Sequence, residues 1–144
     1  MKAIEDFKSA LGFITILPAG KKVKWSPLGM IRFFPVVGMI LGFLVYCFDR
    51  VFSLFFLPPV TALVDMIVLI CLTGAFHIDG LGDTADGIFS HQPKEKVMEI
   101  MKDSRIGMMG LVAVLCVLAV KTAGIFSMKQ TASDLDLFIY FIVI

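Results

Sequence analysis

The run MMGLVAVLCVLAVKTAGIFSM, Met108–Met128, constrains this chain more than any other stretch. It has 21 residues and one charge, Lys121, toward its far end. As a helix rising 1.5 Å per residue it reaches about 31 Å, the thickness of a bilayer's hydrocarbon core. Composition points the same way. The 144 residues are 58% hydrophobic and 17% charged, with a mean hydropathy of +0.93. A soluble domain is usually about a quarter charged. A net charge of +1 gives no reason to expect a nucleic-acid partner.

Other apolar runs extend the pattern. FFPVVGMILGFLVYCF, Phe33–Phe48, is uncharged but covers only about 24 Å of helix. Continuing through Asp49 and Arg50 into VFSLFFL gives a first span over about 30–55, with the two charges offsetting each other or reaching to the interface. Pro58-Pro59 forces a turn. VTALVDMIVLICLTGAFHI then gives a second span over about 60–79, with Asp65 inside it, and the third runs over 108–128. A fourth apolar run starts near Leu135 and stops at Ile144, which makes only about 15 Å of helix. The expectation is one membrane domain over 1–144, incomplete at its C-terminus. Neither an internal repeat nor a low-complexity tract is found.

Residues 1–20 read as an interfacial helix, with Ile4, Phe7, Leu11 and Ile14 on one face and Pro18 and Gly20 ending it. LGFITILPAG resembles a signal core in length only. Acidic Glu5 and Asp6 precede it and Lys21, Lys22 and Lys24 follow, so the polarity is wrong and the segment is expected to be retained. Cys47, Cys71 and Cys116 lie inside apolar runs and are expected as small buried apolar residues without disulfides. Lysines and arginines concentrate before the first span and in the 79–107 linker, which by the positive-inside rule puts both on the cytoplasmic side of the cell membrane. The fold class expected is all-α: a polytopic integral membrane helical bundle with an N-terminal interfacial helix and a cytoplasmic acidic helical linker.

That linker holds the chemistry. In HIDGLGDTADG, a helix continuing from the second span would bring Asp79, Asp83 and Asp86 onto one face, within about 60° of one another. Three such charges repel unless something neutralises them. Mg²⁺, which takes one or two carboxylates plus phosphate oxygens, suits hard oxygen ligands at a membrane edge. Gly80, Gly82 and Gly87 allow a ligand or a neighbouring helix to approach closely. Downstream, Glu99 and Asp103 stand at i, i+4 and could complete a second metal position. Lys102 and Arg105 beside them could hold phosphate oxygens. The plainer reading of KEKVMEIMKDSR is a solvated helix with internal ion pairs. His77 is read as a packing or supporting residue near the substrate, in preference to a base. Together these features favour phosphoryl transfer to a lipophilic or membrane-borne acceptor.

FITILP at 13–18, FFPVVGMILG at 33–42, LTGAFHIDGLGDTADGIFS at 72–90 and IMKDSRIGMMG at 100–110 resemble, in the same order, the cobalamin synthase (adenosylcobinamide-GDP ribazoletransferase) family. The last two segments are specific. The resemblance implies a multi-pass membrane enzyme, Mg²⁺-dependent, that joins adenosylcobinamide-GDP to α-ribazole or its 5′-phosphate and releases GMP. It carries Asp79, Asp83 and Asp86 onto the family's acidic motif, and Asp103, Ser104 and Arg105 onto its second motif. The expected catalytic residues are Asp79, Asp83, Asp86, Asp103 and Arg105. His77, Lys102, Ser104 and Arg105 are expected against substrate, and Asp79, Asp83, Asp86, Glu99 and Asp103 around metal. A mechanistic parallel exists with the CDP-alcohol phosphotransferases, whose signature Asp83-x-x-Asp86-Gly87 only begins to match. Partners are the two small molecules and the bilayer, with a homo-oligomer open.

Two other classes compete. A cation-coupled transporter or channel subunit would use Asp65, the linker aspartates and Lys121 as an ion path. A small membrane scaffold would leave the aspartate row unexplained.

Overall fold

A computed structural model describes residues 2–20 and 25–143, so the basic cluster Lys21, Lys22 and Lys24 lies outside the described residues. Among these residues all regular structure is helical: α1 (Lys2–Ile14), α2 (Pro27–Met30), a 3₁₀ turn (Ile31–Phe33), α3 (Phe34–Phe52), α4 (Pro58–Leu72), α5 (Phe76–Phe89), α6 (Lys94–Ile100), α7 (Met108–Thr131) and α8 (Asp134–Val143). The expected all-α membrane bundle is what the structure shows.

Two stretches are long and apolar enough to cross a bilayer, Pro27–Phe52 and Met108–Thr131, with mean hydropathies of 2.1 and 2.2. The 24 residues of α7 rise about 36 Å. Only Gly110, Val114 and Ile125 of α7 are buried in the protein; Leu118, Phe126 and Met128 pack on the core, while Met108, Leu111, Val112, Leu115 and Val120 are exposed on its outward side. An outward face of that kind is what lipid solvates. The same reasoning corrects the reading of the cysteines. Cys47, Cys71 and Cys116 are free and exposed on outward helix faces, because in a membrane protein an apolar run does not separate the inner face from the outer.

The second span departs from expectation. It does not continue as one helix to Ile78 or beyond, because α4 ends at Leu72 and α5 sets off at 88° to it. Gly74 causes the break. Its φ of +58° is the left-handed conformation glycine adopts without strain. Gly74 N–H donates to Cys71 O (3.1 Å) and Ala75 N–H to Ile70 O (2.9 Å), the paired bonds of a Schellman motif. Ala75 follows, also left-handed at φ +60°, and its carbonyl accepts the Asp79 amide at 2.9 Å.

α3 packs on both α4 and α8, α4 on α7, and α7 on α5. Val45, Ala62, Met66, Ile125, Leu137 and Phe141 form the main core. A second cluster, Ala10, Met30, Val37 and Leu41, seats α1. Phe7, Leu11 and Ile14 of the expected apolar face do pack there, whereas Ile4 is exposed. Beside Ala10, α1 also buries two polar residues, Asp6 and Ser9: Asp6 accepts from Ser26 Oγ at 2.6 Å and pairs with Arg32. Those two bonds, Ser26 first, hold the Asp6 carboxyl below its ordinary range.

Asp49 and Arg50 do not offset each other. Arg50 pairs with Asp134 at 2.7 Å, at the turn into α8. Asp49 turns inward to Lys129 near the end of α7, which also reaches Asp65 Oδ2 at 3.0 Å. The side chains of Asp49, Asp65 and Lys129 are 1%, 0% and 5% exposed. One ammonium therefore ties α3, α4 and α7 together in the interior.

Candidate active site

The carboxylate row lies on α5. With Phe76–Phe89 a continuous helix, Asp79, Asp83 and Asp86 stand at i, i+4 and i+7 on one face. Asp79 is exposed and Asp83 half-buried, and among the described residues neither carboxylate has a hydrogen-bond or ion-pair partner. Gly80, in the adjoining register, has open space where a side chain would stand.

Asp86 is placed differently. Its Oδ2 accepts the Gly107 amide at 2.6 Å and its Oδ1 the Gly110 amide at 2.7 Å, both from the start of α7. The glycines are steric requirements. A Cβ on Gly110 would stand 2.8 Å from Gly82 O, and one on Gly107 2.7 Å from Asp86 Cγ. On the neighbouring side a Cβ on Gly87 would meet Met101 Cγ at 2.8 Å. Gly87 thus serves close helix approach, Gly82 would accept a Cβ at ordinary contact distance (3.8 Å from Val114), and Gly80 leaves the ligand side open. The two sequence motifs, distant in the chain, meet at Asp86.

The second motif is a turn and not a helix face. α6 ends at Ile100, so Glu99 and Asp103 do not share one helix as their spacing suggests. The helix closes in a tighter turn, with the Lys102 amide donating to Glu99 O and the Asp103 amide to Ile100 O. Beyond it Asp103 Oδ1 accepts the Arg105 amide at 3.1 Å, a local side-chain bond that competes with helix. The Asp103 carboxylate also takes Arg105 Nε (3.0 Å) and the terminal nitrogen (2.6 Å). That pairing, side chain first and backbone second, holds the Asp103 carboxyl down to about 2 and raises the Arg105 guanidinium. Arg105 remains 87% exposed, and Lys102 and Ser104 are exposed beside it. Glu99 is exposed and pairs with Lys96 at 3.0 Å, the internal ion pair of a solvated helix.

His77, in the first turn of α5, rests edge-on against Phe76. It also lines a cavity of about 400 Å³ behind α5, together with Thr73, Leu81, Lys121, Met66 and Asp65. This is the face of α5 opposite the aspartates.

Among the described residues no three His, Cys, Asp or Glu side chains converge as a ready-made metal cage. The donors still suit Mg²⁺, which usually takes one or two carboxylates and completes its shell with water and substrate phosphate. Asp79 and Asp83, one turn apart and unpartnered, fit that demand. Asp86, Glu99 and Asp103 are engaged elsewhere.

Sequence reasoning missed Lys129 and the role of Gly107 and Gly110. Two aspartates inside apolar spans were a signal that a basic residue must answer them, and Lys129 sits in the last turn of an apolar helix.

The cobalamin-5-phosphate synthase family matches the chain over residues 6–144. A protein of Acetivibrio thermocellus is 39% identical over 127 residues, covering 85% of this chain and 51% of its own length. One of Clostridioides difficile is 38% identical, covering 90% and 51%, and one of Alkaliphilus metalliredigens 42%, covering 83% and 48%. All three bear the name adenosylcobinamide-GDP ribazoletransferase. The chain spans about half the length of these curated relatives. No solved structure matches it. The match takes in both motifs that meet at Asp86, and on it the chain belongs to the cobalamin-5-phosphate synthase family.

Proposed function

We propose that this chain carries the Mg²⁺–diphosphate site of an enzyme that transfers the adenosylcobinamide phosphate moiety from adenosylcobinamide-GDP to α-ribazole or its 5′-phosphate. The products are adenosylcobalamin or its 5′-phosphate, and GMP, at the close of nucleotide-loop assembly. A ribazole hydroxyl oxygen attacks the phosphorus bonded to the cobinamide side. The anhydride bond to the GMP oxygen breaks, GMP leaves with that oxygen, and the hydroxyl proton passes to solvent or a base. The observation that carries this reading is the junction at Asp86, which ties the start of α7, two residues after the Asp103–Arg105 turn, to the helix that carries the aspartates. The names of the relatives support it.

Asp79 and Asp83 would hold the metal. Bound Mg²⁺ would supply charge neutralisation across the diphosphate. Arg105, with Lys102 and Ser104 beside it, offers exposed donors to phosphate oxygens. Arginine is suited to that role by its planar fork. Asp103 keeps the guanidinium oriented before substrate arrives, while His77, on the face of α5 opposite the aspartates, lines the cavity behind the helix. The proposed setting is the cytoplasmic membrane, multi-pass, with the α5–α6 segment on the cytoplasmic side, where the lysines and arginines concentrate. The ion-path alternative is weakened by Lys129, which occupies the Asp65 carboxylate that such a path needs.

The test is Mg²⁺-dependent GMP release by membranes holding the protein, given adenosylcobinamide-GDP and α-ribazole. Asp83→Asn should abolish release and leave membrane insertion intact. Normal turnover by that variant would refute the reading.

A further inference from the structure

The three aspartates of α5 share a face but not a fate. Both oxygens of Asp86 are occupied, each by one backbone amide of the next membrane helix, at 2.6 and 2.7 Å. Gly107 is the N-cap position of α7 and has no side chain with which to cap it. Asp86 performs that task from another helix. The N-terminal end of a 24-residue helix carries roughly half a positive charge, which offsets part of the charge of one member of the crowded acidic row.

Shape repeats the point. Gly107 and Gly110 form a cradle around the carboxylate, with no room for a Cβ at either. Asp79 and Asp83 have no such surroundings. Each Asp86 oxygen keeps a second lone pair, but turning the carboxylate toward a cation held by Asp79 and Asp83 would pull it away from the two amides at the start of α7.

We infer that Asp86 is a positioning residue of the site and not a metal ligand: it holds the first turn of α7, and with it the Asp103–Arg105 turn, in register with Asp79 and Asp83. The inference rests on the reading of α5 as the metal-binding face. The Asp103 carboxylate stiffens the loop by holding both the backbone amide and the side chain of Arg105. Any shift of the Gly107–Gly110 turn is therefore passed to the guanidinium.

The experiment uses the whole 144-residue chain in lipid nanodiscs. It reads Mn²⁺ affinity by electron paramagnetic resonance, GDP affinity at saturating Mg²⁺, and amide exchange at Gly107 and Gly110. Asp83→Asn should weaken Mn²⁺ binding by about tenfold or more. Asp86→Asn and Gly110→Ala should keep Mn²⁺ affinity within about threefold, lower GDP affinity by about tenfold, and speed exchange at both glycines. General unfolding would lower both affinities together. Loss of Mn²⁺ affinity in Asp86→Asn equal to that in Asp83→Asn overturns the inference, and so does unchanged GDP affinity. On the unmodified chain, Mn²⁺ should leave exchange at Gly107 and Gly110 as it was. Faster exchange on adding metal would mean that Asp86 leaves α7, again overturning it. An unmodified chain that binds no Mn²⁺ would sink the metal-face reading instead, while the exchange of Asp86→Asn still reports the positioning contact.

Discussion

Replacing Lys129 by methionine isolates the buried ion group. Methionine nearly matches lysine in length and volume, so the change removes charge with little change of shape. Two carboxylates, Asp49 at 1% and Asp65 at 0% side-chain exposure, would lose their cation. Removing one partner of a buried pair typically costs about 3–5 kcal/mol, because the other charge is left uncompensated. Here two charges are left, so that range is a lower bound, or roughly 10²–10⁴ in the folding equilibrium. The assay is unfolding in mixed micelles with rising SDS, followed by helical circular dichroism. The triple variant Lys129→Met, Asp49→Asn, Asp65→Asn should recover most of the loss, since it removes all three charges together. Arg50→Ala is the control: its pair with Asp134 is exposed on both sides, and such pairs contribute about 0–1 kcal/mol. A loss below about 1 kcal/mol for Lys129→Met, equal to the control, would refute the reasoning. It would mean that something other than Lys129 neutralises the two aspartates.

Three further outcomes follow from local geometry. The Asp103 carboxyl is held at about 2, below its ordinary 3.8, by Arg105. Its stabilising contribution is therefore complete above pH about 4 and lost as pH falls through about 2; carbon-13 NMR of labelled aspartate should show that low midpoint, and Arg105→Ala should return it toward 3.8. Ala75→Gly should raise unfolding stability by up to about 1 kcal/mol, because alanine sits at φ +60° where glycine is unstrained. Gly42→Ala should destabilise by at least about 1–3 kcal/mol in the same micelle assay, since its Cβ would stand 2.6 Å from the Phe141 carbonyl carbon and 2.8 Å from Ile142 Cα.

Much of the site was legible because helical periodicity is local. The i, i+4, i+7 spacing of Asp79, Asp83 and Asp86 puts them on one face whatever helix they occupy, and the structure supplies such a helix in α5. The Glu99–Asp103 spacing gave the opposite lesson. Periodicity holds only while the helix lasts, and α6 closes at Ile100, after which Asp103 bonds the Arg105 amide in a turn. The break after Leu72 was also written locally, in Thr73-Gly74. Within a long apolar run a lone glycine is equally consistent with an unbroken span, so the run hid the turn.

The sequence by itself determined that this chain is helical, that it is built for a bilayer, and that its acids gather beside a span. Those properties follow from composition and from spacing along one helix, which neighbours do not alter. Only the tertiary structure decided which charges are answered and by whom. It gave Lys129, more than sixty residues downstream of either, to Asp49 and Asp65, and gave the amides of Gly107 and Gly110 to Asp86. It also left Asp79 and Asp83 without a partner among the described residues. A carboxylate is the same in the sequence whether it faces a cation, a helix end or open solvent. Its environment is set by which helices pack together, and that choice separates a structural aspartate from one free to bind.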